Sequence, residues 1–281
     1  MNEIVTPLRR RGRPPLSGAS ETGGEVQSLD RAMGLLEILA AGDGALLSDV
    51  ARRAELPAST VHRLLTTLQR RALVSQDPAT GLWTVGVGLF RIGSAYLRIR
   101  KLPEIARPVI QRLLEEVGET VNVSMLDGRE IVCVAQAESH AAVRAFFRLG
   151  RRLPVHASAA GKAILATASP AIRDTLLDGL ALERFTPKTH RTRKSLLADV
   201  AGVGTRGWAF DDEEHTIGMQ CVSAAIMNEW AEPAGALSIS APSVRMGTAR
   251  ATELGARVHA TALRLSALYS GQPQYAERTP A

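Results

Sequence analysis

The feature that most limits how this chain can fold is a short apolar stripe, Val61, Leu64, Leu65 and Leu68, spaced i, i+3, i+4 and i+7. That spacing puts all four on one side of a helix. It turns Ser59, Arg63, Thr66 and Arg70 to the other side, flanked by Thr60, His62 and Thr67. The outward side holds hydroxyls, an imidazole and two guanidiniums, with no carboxylate. Hydroxyls reach phosphates and base edges, and Arg makes forked contacts to guanine or phosphate. Upstream, Ser48 is placed to cap a short helix that turns Val50, Ala51 and Ala54 inward. Glu55-Leu56-Pro57 then makes the turn, with Pro57 suited to the first helical position. Two short helices, a tight turn and a basic polar outer face describe a helix-turn-helix. The competing reading is an ordinary amphipathic helix with a solvated face.

The charge distribution favours a polyanionic partner for the front of the chain. Residues 1–101 carry 14 Lys and Arg against 9 Asp and Glu, whereas the other 180 carry 20 against 19. The 281 residues are enough for about two domains, and 45% hydrophobic content supports real cores. Two cysteines, Cys133 and Cys221, are too few for a disulfide framework or a metal cluster. No apolar run approaches the ~20 residues of a bilayer span, and the N-terminus has no signal-type apolar core. A soluble cytoplasmic protein without a metal or cofactor is expected.

Taken in order, residues 1–25 are poor in large apolar groups and should form a disordered basic arm. Within the arm, Arg11-Gly12-Arg13-Pro14 is thin enough to enter a minor groove, so Arg11 and Arg13 join the DNA-binding candidates. Residues 26–87 read as the DNA-binding domain. Ser28 is placed to cap a helix from Leu29 to about Ala41 with the stripe Leu29, Ala32, Met33, Leu36 and Leu39. After the helix-turn-helix, Leu73–Gln76, the turn 77–81 and Leu82–Val85 read as a wing, with Trp83 packed beneath it. Residues 88–101 form a linker helix whose Leu89, Ile92, Tyr96 and Ile99 call for a second subunit, and Pro103 marks its end.

Residues 102–270 read as one α+β domain with a largely antiparallel sheet, followed by a tail, 271–281. Ile105, Val109, Leu113 and Val117 line a helix, and Val121, Val123 and Met125 alternate into a hairpin at Asp127-Gly128. A third strand is expected over 142–149. A helix over 157–168 has a first turn of Ser158, Ala159, Ala160 and Gly161. Two more helices, strands near 208–212, 221–227 and 234–240, and a helix over 248–269 complete the domain. Small side chains at a helix start leave backbone N–H groups open to a carboxylate. Ser238 and Ser240 are two apart on a strand and face the same way, Cys221 adds a weak donor, and Leu153 and Met219 add an apolar wall. Close helix–sheet packing explains the small residues equally well.

These features together resemble the IclR family of transcriptional regulators over roughly residues 26 to 270. The resemblance rests on Leu56-Pro57-Ala58-Ser59-Thr60-Val61-His62-Arg63-Leu64-Leu65 and on Leu153-Pro154-Val155-His156-Ala157-Ser158-Ala159-Ala160-Gly161-Lys162-Ala163. It rests further on Asp211-Asp212-Glu213-Glu214-His215, Gly218, Cys221, Glu232-Pro233 and Ser238-Ile239-Ser240-Ala241-Pro242. It is strongest toward the acetate-operon repressor branch. It implies a winged helix-turn-helix on palindromic operators as a dimer or dimer of dimers, and a GAF-like C-terminal domain binding a small carboxylate such as glyoxylate or pyruvate. On this chain the implied effector positions are Leu153, Ala159, Ala160, Asp211, Met219, Cys221, Ser238 and Ser240, with the backbone N–H of Gly161 beside them. Ala159 and Met219 stand where close relatives tend to have Gly and Leu. The resemblance implies a repressor; the alternative is an activator responding to an aromatic or other organic acid.

Catalytic arrangements are weakly represented. Five consecutive residues from Asp211 to His215 cannot all converge on one metal, and such a run reads as a solvated loop. Ser158 and Lys162 are four apart, not the three of an acyl-transfer Ser-x-x-Lys motif. Gly161-Lys162 lacks the remaining residues of a phosphate loop. A thiol enzyme pairing Cys221 with His156 or His215 is the remaining alternative, without spacing to orient it. His190 reads as a surface residue.

Overall fold

Leu35, Leu36 and Leu39 on α1 (Gln27–Ala40) meet Val50 and Ala51 on α2 (Leu47–Arg53) and Val61, Leu65 and Leu68 on α3 (Ala58–Gln69). In this computed structural model the described residues are 26–99, 101–142, 144 and 148–271. The chain divides between Tyr96 and Leu97 into two units. The expected arm, with Arg11 and Arg13, and residues 272–281 lie outside the described residues. Leu64 is half-buried at the rim of the first core, so the periodic stripe on α3 is the buried one.

Three helix starts differ from expectation. Ser28 and Ser48 lie inside α1 and α2, whose N-cap residues are Val26 and Leu46 with no side-chain cap. Pro57 is the N-cap residue of α3, not its first helical residue, and no backbone donor is lost there because N-terminal N–H groups have no helical acceptor. On α1 the apolar face is rotated: Leu29 and Met33 are exposed and Leu35 is fully buried.

The wing pairs β1 (Val74–Gln76) with β2 (Trp83–Val85), antiparallel. Asp77 Oδ1 holds its turn by accepting from the Ala79 and Thr80 N–H groups at 2.8 and 2.9 Å. Ala45 bridges to Trp83 and extends this sheet by one rung, which no sequence pattern announced. Trp83 is buried under the wing, as expected. The chain then enters α4 (Val87–Ile99) through a corner where a Cβ on Gly86 or Gly88 would stand 2.3 or 2.6 Å from the Ala72 carbonyl oxygen. Leu89 packs on the winged core, while Val87, Phe90 and Ile92 are exposed. The side chains of 96–100, including Tyr96 and Ile99, are outside the described set.

The second unit starts with α5 (Leu102–Val117). Pro103 sits in its first turn and so begins this helix instead of ending the previous one. β3 (Thr120–Asp127) and β4 (Glu130–Ala137) form the expected hairpin. The described residues of the expected strand over 142–149 are not in a strand, and Val143 with 145–147 lies outside the described residues. The strand that pairs with the other edge of β4 is β5 (Arg152–Pro154). A single 3-10 turn, Val155–Ala157, leads to α6 (Ala159–Thr167), then α7 (Pro170–Leu177) and α8 (Arg193–Arg206). β6 (Ala209–Asp212), β7 (Met219–Met227), β8 (Pro233–Pro242) and α9 (Ser243–Ser270) follow.

The sheet is antiparallel throughout, in the order β5-β4-β3-β8-β7-β6. Strand alternation divides it into two unlike faces. Val121, Val123, Met125, Val222, Leu237 and Ile239 form an apolar core with α5 and α9. Ile131 and Ala236, on the opposite face, pack with Val155, Ile164, Leu196 and Val200 under α6 and α8. Both edge strands are short and charged. Arg152 on β5 reaches Glu130 at 2.5 Å and Asp127 at 2.8 Å, and Asp212 on β6 reaches Lys188 at 3.0 Å.

Candidate functional site

The face of the sheet under α6 carries a polar row where the other face carries aliphatics. Cys133 pairs with Ser124, Asn122 with Ser238, and Ser240 with Cys221, which in turn pairs with Asp211. Partners opposite one another place their side chains on the same face, so five strands share this polar row, and with Leu153 of β5 all six contribute to a single cavity of about 40 Å³. That is room for about three waters or a ligand of a few heavy atoms. Its wall includes Leu153, Ala159, Ala160, Asp211, Met219, Cys221, Ser238 and Ser240, the expected residues. Asn122, Ser124, Cys133, Arg151, His215 and Thr216 also line it and were not foreseen. Asn122 and Ser124 repeat the two-residue polar spacing of Ser238 and Ser240, a signal that was present in the sequence. Arg151 carries no such signal, and it adds a positive charge to the helix-start N–H groups expected there.

Gly161 is the expected residue that the structure does not bring to the cavity. Ser158 is the N-cap of α6, and its Oγ accepts the Gly161 N–H at 3.1 Å while donating to the Pro154 carbonyl at 3.0 Å. A Cβ on Gly161 would stand 2.1 Å from the Val155 carbonyl oxygen. The glycine therefore lets the helix start approach the preceding turn. The first-turn N–H groups of Ala159 and Ala160, which have no helical acceptor by position, remain beside the cavity.

Inside the cavity the polar groups are linked. Cys221 Sγ donates to Ser240 Oγ at 3.1 Å, Asn122 Nδ2 donates to the same oxygen at 3.4 Å, and Gln136 Nε2 donates to Asn122 Oδ1 at 2.9 Å. Burial, helped by the neighbouring Asp211 charge, pushes the Cys221 thiol far up, and burial raises Cys133 to about 11. Both are thiols at neutral pH. That is the opposite of the lowered pKa that a nucleophilic cysteine has. Asp211 is raised to about 7, first by burial and then by the Glu214 charge. Its Oδ1 accepts the Glu214 N–H at 2.8 Å. His215 is lowered by burial and by Arg151.

The acidic run is not a solvated loop: Asp211 and Glu214 are buried. Lys162, fully buried on α6, donates to Asp199 Oδ2 at 2.5 Å and to Glu214 Oε1. His190, expected at the surface, lies 3.4 Å from Asp199 and is only partly exposed. Against the cost of burial, His190 and the Lys162 charge hold Asp199 well below the usual carboxylate range. The Lys162 ammonium thus bridges these two carboxylates.

On α3, Ser59, His62, Arg63, Thr67 and Arg70 are exposed and Thr60 and Thr66 half-buried, all without an acidic neighbour on that face. Thr66 and Thr67 donate their hydroxyl hydrogens to the His62 and Arg63 carbonyls, both at 2.8 Å. Their outward chemistry is therefore lone pairs and methyl groups, and Arg63 and Arg70 hold the strong donors.

Residues 28–78 match the family model described as the IclR helix-turn-helix domain, and residues 94–267 the one described as bacterial transcriptional regulator IclR C-terminal. The chain belongs to the IclR family. Among its relatives, the HTH-type transcriptional regulator BhcR of Paracoccus denitrificans is 41% identical over 92% of this chain and 94% of its own length. The transcriptional repressor IclR of Escherichia coli K12 is 40% identical over 95% of this chain and 99% of its own. A solved IclR homologue from Microbacterium hydrocarbonoxydans, complexed with 4-hydroxybenzoate, aligns with a TM-score of 0.69 at 25% identity, covering 86% of this chain and 99% of that one. This IclR-family chain is thus a transcriptional regulator that binds DNA through its helix-turn-helix. Among the described residues no helix is long and apolar enough to cross a membrane.

Proposed function

We propose that this regulator is a cytoplasmic repressor that sits on a palindromic operator as a dimer or dimer of dimers and responds to a small carboxylate. The observation that carries the effector reading is the 40 Å³ cavity with Ala159 and Ala160 at the start of α6, Arg151, Ser238 and Ser240 on its wall. Oriented dipoles and a guanidinium favour an anion, and the volume favours one of glyoxylate or pyruvate size over an aromatic acid. The repressor reading is supported by the name of the Escherichia coli relative. Self-association is supported by the exposed Val87, Phe90 and Ile92 on α4 and by the two-fold symmetry of palindromic sites. On DNA, α3 lies in the major groove with Ser59, Thr60, His62, Arg63, Thr66, Thr67 and Arg70, and Arg11 and Arg13 follow the minor groove.

Calorimetric titration of the full chain with glyoxylate, pyruvate and 4-hydroxybenzoate tests the effector reading. The small acids should bind with micromolar to millimolar affinity, and Ser240→Ala should lose about 1–3 kcal/mol of it by leaving a ligand oxygen unpaired. Heat from the aromatic acid alone would overturn the reading in favour of an aromatic-acid regulator.

A further inference from the structure

The wall of the cavity holds one carboxyl group, Asp211, whose proton decides both its charge and whether it donates or accepts. Asp211 is buried, and its Oδ1 is committed to the Glu214 N–H, which leaves Oδ2 for the cavity that the residue lines. Among the described residues no ion pair engages Asp211, although Lys162 lies on the neighbouring helix. An unpaired carboxylate in a small enclosed site, next to the carboxylate of Glu214, is held there only at high cost. The same cavity is suited to an anionic ligand, which adds a second negative charge beside it.

Resting on the small-carboxylate reading above, we propose that the proton on Asp211 sets which class of acid this regulator detects. As the neutral acid, Asp211 donates to a ligand whose second carbon bears a carbonyl, an acceptor with no hydrogen of its own. As the carboxylate, it accepts from a ligand bearing a hydroxyl or hydrated carbonyl at that carbon. Binding of a 2-oxo acid above neutrality therefore draws one proton from solvent onto Asp211, and binding of a 2-hydroxy acid does not.

The position of Asp211, raised to about 7, puts this exchange at neutral pH. The charged and titratable groups around it are Glu214 and Asp212 on its own segment, Lys162 on α6, Cys221 on β7, His215, and Arg151 before β5. Of these, His215 is driven below its ordinary 6.5 and Cys221 is held as the thiol. Asp211 exchanges its proton over about pH 6–8; Cys221 stays a thiol throughout that range, and His215 is mostly neutral above pH 7.

Pyruvate and lactate share a carbon frame and differ only at the second carbon, so their affinity ratio isolates the group facing Asp211. Titration of the full chain from pH 6 to 9, in buffers of different ionisation enthalpy, reads both the affinity and the protons exchanged. The pyruvate Kd should be flat below pH 7 and rise about tenfold per unit above it, with about one proton taken up. The lactate Kd should change less, so the ratio shifts toward lactate as pH rises. Asp211→Asn keeps an oxygen for the Glu214 N–H and presents a fixed donor. Its pyruvate affinity should lose the pH dependence while its lactate affinity falls. A pyruvate-to-lactate ratio constant across pH 6–9 in the unaltered protein overturns the proposal even if both acids bind. Binding of neither acid overturns the small-carboxylate reading with it.

Discussion

No acidic, basic, amide or hydroxyl side chain is buried among the described residues of the winged unit, whereas seventeen polar or charged side chains are buried in the second. The first unit is an apolar core wearing its chemistry outside; the second wraps its core around polar groups. A DNA interface must meet water until the duplex replaces it, so its donors can stand exposed at little cost to folding. A pocket for a small anion must exclude water to bind strongly, so its polar groups tax the fold directly. Function and stability should therefore separate in the first unit and coincide in the second.

The sharpest way to break that contrast is at Lys162. Lys162→Met leaves Glu214 and Asp199 without their shared ammonium and should destabilise the second unit by about 3–5 kcal/mol, read by denaturant unfolding. A loss under 1 kcal/mol would mean that water reaches the cluster. Next in size is the pH dependence of Asp211. Its folded pKa is raised from 3.8 to about 7, so the folded state keeps a proton that the unfolded chain releases. Its contribution is fully present below pH 3.8 and is lost as pH rises toward 7. Thermal unfolding should accordingly find Asp211→Asn more stable relative to the parent at pH 8 than at pH 5.

The smallest effects compare the two ligand surfaces. Arg63→Ala should weaken operator binding by about 1–3 kcal/mol, with less loss on random DNA, and should change stability by no more than about 0.5 kcal/mol. Ser240→Ala should cost about 1 kcal/mol of stability as well as effector affinity, because Cys221 and Asn122 lose their acceptor. An Arg63 variant that unfolds easily, or a Ser240 variant as stable as its parent, would erase the distinction.

The same distinction governed what could be read from the sequence. The α3 face is a single-element pattern, complete within twelve residues, so helical periodicity alone exposed it. The sheet alternation and the small residues opening α6 were legible for the same reason. The cavity is assembled across strands: Asn122 meets Ser240 from 118 positions away. No local period links Lys162 to Asp199 and Glu214, 37 and 52 positions on, or brings Arg151 to the wall of the cavity. The expected serine caps at Ser28 and Ser48 failed because packing of Leu35 and Val50 chose where those helices begin. Tertiary contacts outweighed a cap worth about 1 kcal/mol.

The edges of the six-stranded sheet carry a consequence for solubility. An open sheet ends in unpaired backbone donors and acceptors, and a long flat edge invites another chain to add a strand, the first step of fibre growth. Here the terminal strands β5 and β6 have only three and four residues, and each is fenced by ion pairs, Arg152 with Glu130 and Asp127 at one end and Asp212 with Lys188 at the other. A newcomer would have to strip water from those charges to gain a handful of backbone bonds. These pairs, each of little worth to folding because they are exposed, act as gatekeepers that keep a strand-rich domain from templating its own aggregation.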